Sequence, residues 1–242
     1  MDDFFRFAEM SSGDGVRLDI CGAMVPHKPW YDDTGRFCAS SDFRRQLAAC
    51  DGQKLTVVID SDGGDVGAGV AMYEALRARK GETCAVIVKA YSAATLPLMA
   101  CQKGKRHMSP AGTVMIHRPV CSAHGNRREM QAADDFLRVL EESALSIYAA
   151  GSGKSRDELM QLMDKETFYT AQEAVQNGFA DDVLPAQQSA MMYAPQLSRV
   201  VTASNEATMA MIHAALKADE DNQREREEIL RYLESVGQPR QK

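Results

Sequence analysis

Between residues 55 and 116, short apolar runs alternate with segments whose apolar positions recur at helical spacing. Residues 55–59 form a nearly continuous β-branched run, which predicts a strand covered on both faces. The run enters Asp60-Ser61-Asp62-Gly63-Gly64-Asp65. A helix from about Gly67 to Arg79 follows, with Val70, Ala71, Tyr73, Ala75 and Leu76 at helical spacing and Gly81 to close it. Residues 84–88 predict another buried strand. Residues 92–101 predict a short apolar helix kinked near Pro97, and residues 113–116 a strand that ends at His117-Arg118-Pro119.

On the amino-terminal side, residues 16–20 read as a first strand. A loop through Pro26, His27, Pro29, Trp30, Tyr31 and Asp32 is too rich in breakers for regular structure. A helix over 41–50 would take Ser41 as its cap and turn Phe43, Leu47 and Cys50 to one side. The longest helix is predicted over 126–150. Asn126 can cap it while Glu129 reaches back to the open amide, and Gly151 would stop it. Thr170 and Glu173 repeat that capping pattern ahead of a two-turn helix ending at Gly178. Strands alternating with helices in this way imply βαβ crossovers around a mostly parallel sheet, an α/β fold.

After Pro185 the pattern fades. Gln187, Gln188, Met191, Met192 and Pro195 read as a linker, and a polar helix is predicted over 206–234. From Asp219 onward it has too few apolar positions to be core. The chain thus divides into a segment 1–15, a domain 16–186 and a linker with a charged helical extension, 187–242.

A chain of 242 residues can bury a sizeable core, and a formal charge of −6 gives no footprint for nucleic acid. The six cysteines include no C-x-x-C pair of the kind that zinc or redox sites favour, so neither metal nor cofactor is expected. The first residues lack the order of a signal peptide, and no run of about 18 apolar residues is present to span a bilayer. The expectation is a cytoplasmic protein with reduced thiols and no membrane partner.

Two residues carry candidate chemistry. His117 ends an apolar strand, where side chains of α/β folds face the ligand crevice. A half-buried histidine bonded to a backbone carbonyl is the alternative. Ser92 stands at a helix start after a buried strand, between small residues, and the amide of Ala93 can receive developing oxygen charge. The alternative is an ordinary capping serine, since Ala90 and Ala94 depart from the Gly-x-Ser-x-Gly elbow. Gly63-Gly64 lets the backbone press on a ligand or simply turn. The glycines of 63–69 miss the dinucleotide frame. Gly151-Ser152-Gly153-Lys154-Ser155 mimics a phosphate loop, but Tyr148 occupies its first glycine position.

In order along the chain, Ser61-Asp62-Gly63-Gly64-Asp65, Ala90-Tyr91-Ser92-Ala93-Ala94, Gly104-Lys105-Arg106, Met115-Ile116-His117-Arg118-Pro119 and Thr170-Ala171-Gln172-Glu173-Ala174 resemble the Clp protease proteolytic subunit family, over roughly residues 16–185. The likeness is nearest to the phage and prophage branch associated with capsid maturation. The resemblance implies a crotonase-like spiral of βαβ units with a protruding handle helix over 126–150, stacked heptameric rings, and a serine peptidase domain over 16–186. It also implies polypeptide substrates, with phage structural proteins or an unfoldase as partners.

Carried over by position, Ser92 would be the nucleophile and His117 the base. Gly64, the amide of Asp65 and Ala93 would form the oxyanion hole, and Glu166 would be the third member, with Asp164 as the alternative one strand repeat away. Two departures stand out. Asp62 replaces a proline, and Glu166 replaces an aspartate. Two other classes remain open: a crotonase-like acyl-CoA enzyme with a similar oxyanion hole, and a ring-forming homologue without peptidase activity. A Ser-Lys peptidase is disfavoured because Lys89 lies too close to Ser92 in the strand.

Overall fold

A computed structural model describes residues 8–9, 15–29 and 36–193. The elements, in chain order, are β1 (Ala8–Glu9), β2 (Val16–Val25), β3 (Phe37–Ala39), α1 (Ser40–Ala49), β4 (Leu55–Gly64), α2 (Val66–Ala78), β5 (Thr83–Tyr91), a single 3₁₀ turn (Ser92–Ala94), α3 (Thr95–Ala100), β6 (Arg106–Ile116), α4 (Arg127–Ser152), α5 (Arg156–Asp164), β7 (Thr167–Thr170), α6 (Ala171–Gln176), β8 (Asp182–Val183) and α7 (Ala186–Tyr193).

The result is an α/β fold built on one mostly parallel sheet in the order β1-β2-β4-β5-β6-β7, with β3 beside β2 and β8 beside β6. Strands β2, β4, β5 and β6 run parallel, whereas β1 and β7 are antiparallel additions. The parallel arrangement follows from the sequence. Val57, Val58 and Ile59 are all fully buried, as a strand covered on both faces requires. On one face Leu18, Ile20, Val57, Ile59 and Ile87 join Met72 and Leu76 of α2, Leu96 and Leu98 of α3, and Tyr148 of α4 in the main core. On the other face, Val58 and Val86 pack with Leu184.

Several elements differ from the sequence expectation. The strands are longer, because β2 and β4 pair as far as Met24 and Gly64, so the double glycine ends a strand and does not form a free turn. Ser41 does not cap α1. Ala39 occupies that position without a side-chain bond, while Ser40 Oγ donates to the Pro26 carbonyl at 3.3 Å. Helix α2 ends at Ala78, with extended Arg79 beyond it, so Gly81 lies past its end. Pro97 falls within the first turn of α3, where its missing amide is tolerated, and the predicted kink is a change from 3₁₀ to α geometry instead.

Helix α4 opens as expected. Asn126 Oδ1 accepts from Arg128 N at 2.9 Å and Glu129 N at 3.3 Å, while Glu129 Oε2 accepts from Asn126 N at 2.6 Å. Gly151 does not stop it. Gly151 lies inside the helix, where a Cβ would collide with Met99, and left-handed Gly153 (φ 80°) forms the cap. Ser155 then caps α5, accepting from Glu158 N at 3.3 Å, which accounts for the apparent phosphate loop. Residues 186–193 form α7 where a linker was expected. The carboxy-terminal half of α4 sends Ala144, Leu145, Ile147 and Tyr148 into the core, whereas Met130, Phe136 and Val139 of its first half are exposed. The predicted helix over 206–234 and the loop residues Trp30, Tyr31 and Asp32 lie outside the described residues.

Candidate active site

Strands β4, β5 and β6 end side by side, and their carboxyl ends carry the Gly63-Gly64 pair, Ser92 and His117. Ser92 Oγ stands 2.7 Å from His117 Nε2. With Nε2 unprotonated, the hydroxyl donates to it, and this is the pairing in which an imidazole can take the proton of an attacking oxygen. Both residues are half-buried, reachable from solvent yet backed by the core.

The backbone at Ser92 is unusual. Its φ is 51°, and the only other non-glycine residue with positive φ among the described residues is Glu166, at 49°. Such conformations cost on the order of 1–3 kcal/mol and persist where surrounding structure enforces them. At Ser92 the enforcement is visible. Thr95 Oγ1 donates to the Ser92 carbonyl at 2.5 Å, and Tyr148 OH lies 2.5 Å from the same Thr95 oxygen, which ties the turn to α4. Gly63 (φ 91°) packs against it from β4.

Two of the neighbouring amides are committed. Gly63 N–H donates to Ser61 Oγ at 3.0 Å, and Ser61 Oγ donates to the Gly22 carbonyl at 2.5 Å. Asp65 N–H donates to the Met24 carbonyl at 2.9 Å. That bond removes the Asp65 amide from the expected oxyanion donors, because the β2–β4 ladder runs on through Gly64. Asp65 acts through its side chain instead, capping α2 by accepting from Ala68 N at 2.7 Å. Alternation along a strand turns the Gly64 amide away from β2, toward the β5 side from which Ser92 emerges. Ala93, in the first turn after Ser92, has an amide with no intrahelical acceptor. The Gly64 and Ala93 amides are thus the candidates left to receive developing oxygen charge.

The two acidic candidates separate. Asp164 is bound by Arg118 through Nε and, at 3.1 Å, through Nη2. Arg118 holds its carboxyl below the usual carboxylate range, and Asp164 makes no bond to His117. Glu166 is exposed. The antiparallel pairing ends at Ile116↔Thr167, so His117 and Glu166 each lie one residue beyond the last pair, Glu166 in left-handed geometry. Among the described residues no carboxylate is hydrogen-bonded to His117 Nδ1.

Lys89 Nζ lies 2.9 Å from Asp62 Oδ1. That bond to Asp62, opposed by partial burial, raises the lysine pKa, so Lys89 stays protonated and is unsuited to act as a base. The position where the sequence departs from proline is therefore occupied by the counter-ion of Lys89. Sequence reasoning missed Arg118 as a partner of Asp164, Thr95 and Tyr148. None carries a local motif, since each acts across elements distant in the chain. Among the described residues no group of three or more His, Cys, Asp or Glu is placed to hold a metal ion, and no helix is long and apolar enough to cross a membrane.

A family model described as Clp protease matches residues 42–187. Among curated proteins, an ATP-dependent Clp protease proteolytic subunit of Bacteroides fragilis is 32% identical over 134 residues, covering 55% of this chain and 65% of that relative. The protein of the same description from strain YCH46 of that species is also 32% identical over 134 residues, covering 61% of its own length. The chain thus spans less than two thirds of the length of either relative.

Proposed function

The chain belongs to the Clp protease family, and from that premise we propose that it is a serine endopeptidase working through an acyl-enzyme. Ser92 Oγ attacks the scissile carbonyl as His117 takes its proton. The tetrahedral oxygen is received by the amides of Gly64 and Ala93, and collapse expels the amine with the proton carried by His117. Water, deprotonated by the same imidazole, then releases the acyl group and restores Ser92. Glu166 is the third member, and its carboxylate must swing onto His117 Nδ1 to fix the tautomer. Its extra methylene relative to aspartate compensates for a start from the exposed left-handed position.

The observation that carries this reading is the 2.7 Å contact of Ser92 Oγ with His117 Nε2 at a serine whose backbone is held at φ 51°. The decisive experiment is labelling of the purified chain with a fluorophosphonate, located by peptide mass spectrometry. A single adduct on Ser92, absent from S92A and strongly slowed in H117N, is the expected result. Absence of any adduct refutes the proposal.

Assembly follows from the same reading. Met130, Phe136 and Val139 leave an apolar stripe exposed along the first half of α4, and a homo-oligomer would bury it, in rings of seven for a crotonase-like spiral with a handle helix. Serines enclosed in such rings would meet unfolded polypeptide, and the relatives' ATP dependence suggests an unfoldase as feeder. All six cysteines are free thiols, which suits a cytoplasmic location. A role in phage capsid maturation rests on the sequence resemblance alone. The second reading, a ring subunit without peptidase activity, is favoured by one observation: His117 Nδ1 has no carboxylate partner among the described residues.

A further inference from the structure

The residue after the histidine links three elements. Arg118 donates through Nη1 to Glu141 Oε2 on α4, and through Nε and Nη2 to the two oxygens of Asp164 at the end of α5. The grip on Asp164 is the forked, two-point kind that fixes orientation as well as distance. Both carboxylates together raise the arginine pKa, so the charge persists at every working pH. Asp164 stands two residues before Glu166, and between them the chain leaves α5 and enters left-handed geometry before β7.

We propose that Arg118 is a positioning residue: through Asp164 it fixes the segment that carries Glu166 against the segment that carries His117, with Glu141 as the anchor on α4. This rests on the peptidase reading above. No other described contact to the Asp164 side chain holds the α5–β7 turn to the histidine loop. Without it, the β6–β7 ladder, which ends at Ile116 and Thr167, and the edge-to-face contact of Phe168 with Tyr91 are left to set the distance between His117 and Glu166. Arg118 itself touches no reacting atom. Its removal should therefore slow the chemical step and leave probe affinity alone.

The test is the kinetics of fluorophosphonate labelling in the full-length chain, separated into the maximal rate and the half-saturating probe concentration. R118M should lower the maximal rate about 10- to 100-fold, the range expected when a catalytic group is misplaced by an ångström or so. The half-saturating concentration and the melting temperature should change little, and R118K should recover part of the rate. Because the effect passes through Asp164, R118M/D164N should be no slower than the slower single variant. If R118M does not fold, the comparison of D164N with E141Q takes its place, and D164N should be the slower of the two. An R118M rate equal to wild type, a loss shown only in probe affinity, or multiplicative losses in the double variant would overturn the inference and leave the peptidase reading intact. A wild-type chain that takes no label on Ser92 would remove both.

Discussion

A Cβ placed on Gly63 would lie 2.9 Å from the Cβ of Ser92, 2.9 Å from the Ala93 amide nitrogen and 2.6 Å from the Tyr91 carbonyl oxygen. The end of β4 therefore touches the nucleophile turn along its backbone, and only a hydrogen fits between them. Gly63 also has φ 91°, a conformation that penalises any L side chain. G63A should cost roughly 1–3 kcal/mol from overpacking and, by shifting Ser92, should slow fluorophosphonate labelling more than it lowers stability. Gly104, with φ 80° and open space around it, supplies the control. G104A should lose stability through backbone strain while labelling at the wild-type rate. Equal labelling by the two variants would show that the close approach at Gly63 has no bearing on the serine.

The acidic member can be identified by amide substitutions. Asp164 is committed to Arg118, whereas Glu166 directly precedes Thr167, which pairs with Ile116 beside the histidine. E166Q should reduce kcat for a small peptide by as much as about 10³–10⁴-fold, the order seen when a triad carboxylate becomes an amide. D164N acts only through position and should lose far less. If D164N proves the more damaging, the register assigned to the third member is off by one strand repeat. If neither variant changes kcat, the histidine works without an orienting carboxylate.

The centre of this fold is legible in the sequence because its signals are local. A nearly continuous β-branched run fitted a buried strand, and Asn126 with Glu129 marked the start of α4 to the residue. The first half of β6 was missed because Ser109, Pro110 and Ala111 break its pattern, with two of them exposed on the strand. Helix α5 was missed because its polar face dominates a short segment in which only Leu159 and Met163 are buried. At the site, Ser92 and His117 could be singled out by type and place. The committed amide of Asp65 could not be foreseen, since which of two consecutive amides a ladder uses depends on pairing with Met24, 41 positions away in the chain. The Arg118 fork is likewise a long-range ion pair with no periodic trace.

Acid sensitivity should centre on Asp181. Burial pushes its pKa up, but bonds from the Arg106 guanidinium and from the amides of Arg106 and Gly104 outweigh this and hold it below the ordinary carboxylate range. Arg106 is itself buried and donates to the carbonyls of Gly151 and Gly178 at 3.2 and 2.9 Å, so the pair binds β6 to the ends of α4 and α6. The folded pKa lies below the unfolded value of about 3.9. The contribution to stability is therefore complete above that pH and is lost as pH falls through the folded pKa. D181N should cost about 3 kcal/mol at pH 7, as expected when a buried arginine loses its partly buried carboxylate partner. It should also flatten the fall in stability below about pH 4. Urea unfolding at pH 7, 5, 4 and 3 measures this, and parallel curves for the two proteins would exclude the assignment.

The last expectation concerns where the folded unit needs to end. Helix α7, Ala186–Tyr193, opens with Ser189 N–H donating to the Pro185 carbonyl at 3.0 Å, and the Ser189 side chain is buried. The helix packs on β5 and β6, on the face where Val58 and Val86 meet Leu184. A chain ending at Pro185 would uncover part of that cluster. At about 1.5–3 kcal/mol per fully buried side chain, exposing half of these three costs roughly 2–4 kcal/mol. A chain ending at Tyr193 keeps the cover in place. It should retain the full-length melting temperature and the full rate of Ser92 labelling, while the shorter chain should melt lower and expose a dye-binding apolar surface. The comparison separates two boundaries only eight residues apart. If the Tyr193 truncation is as unstable as the Pro185 one, residues 194–242 contribute to the core, and the domain does not end with α7.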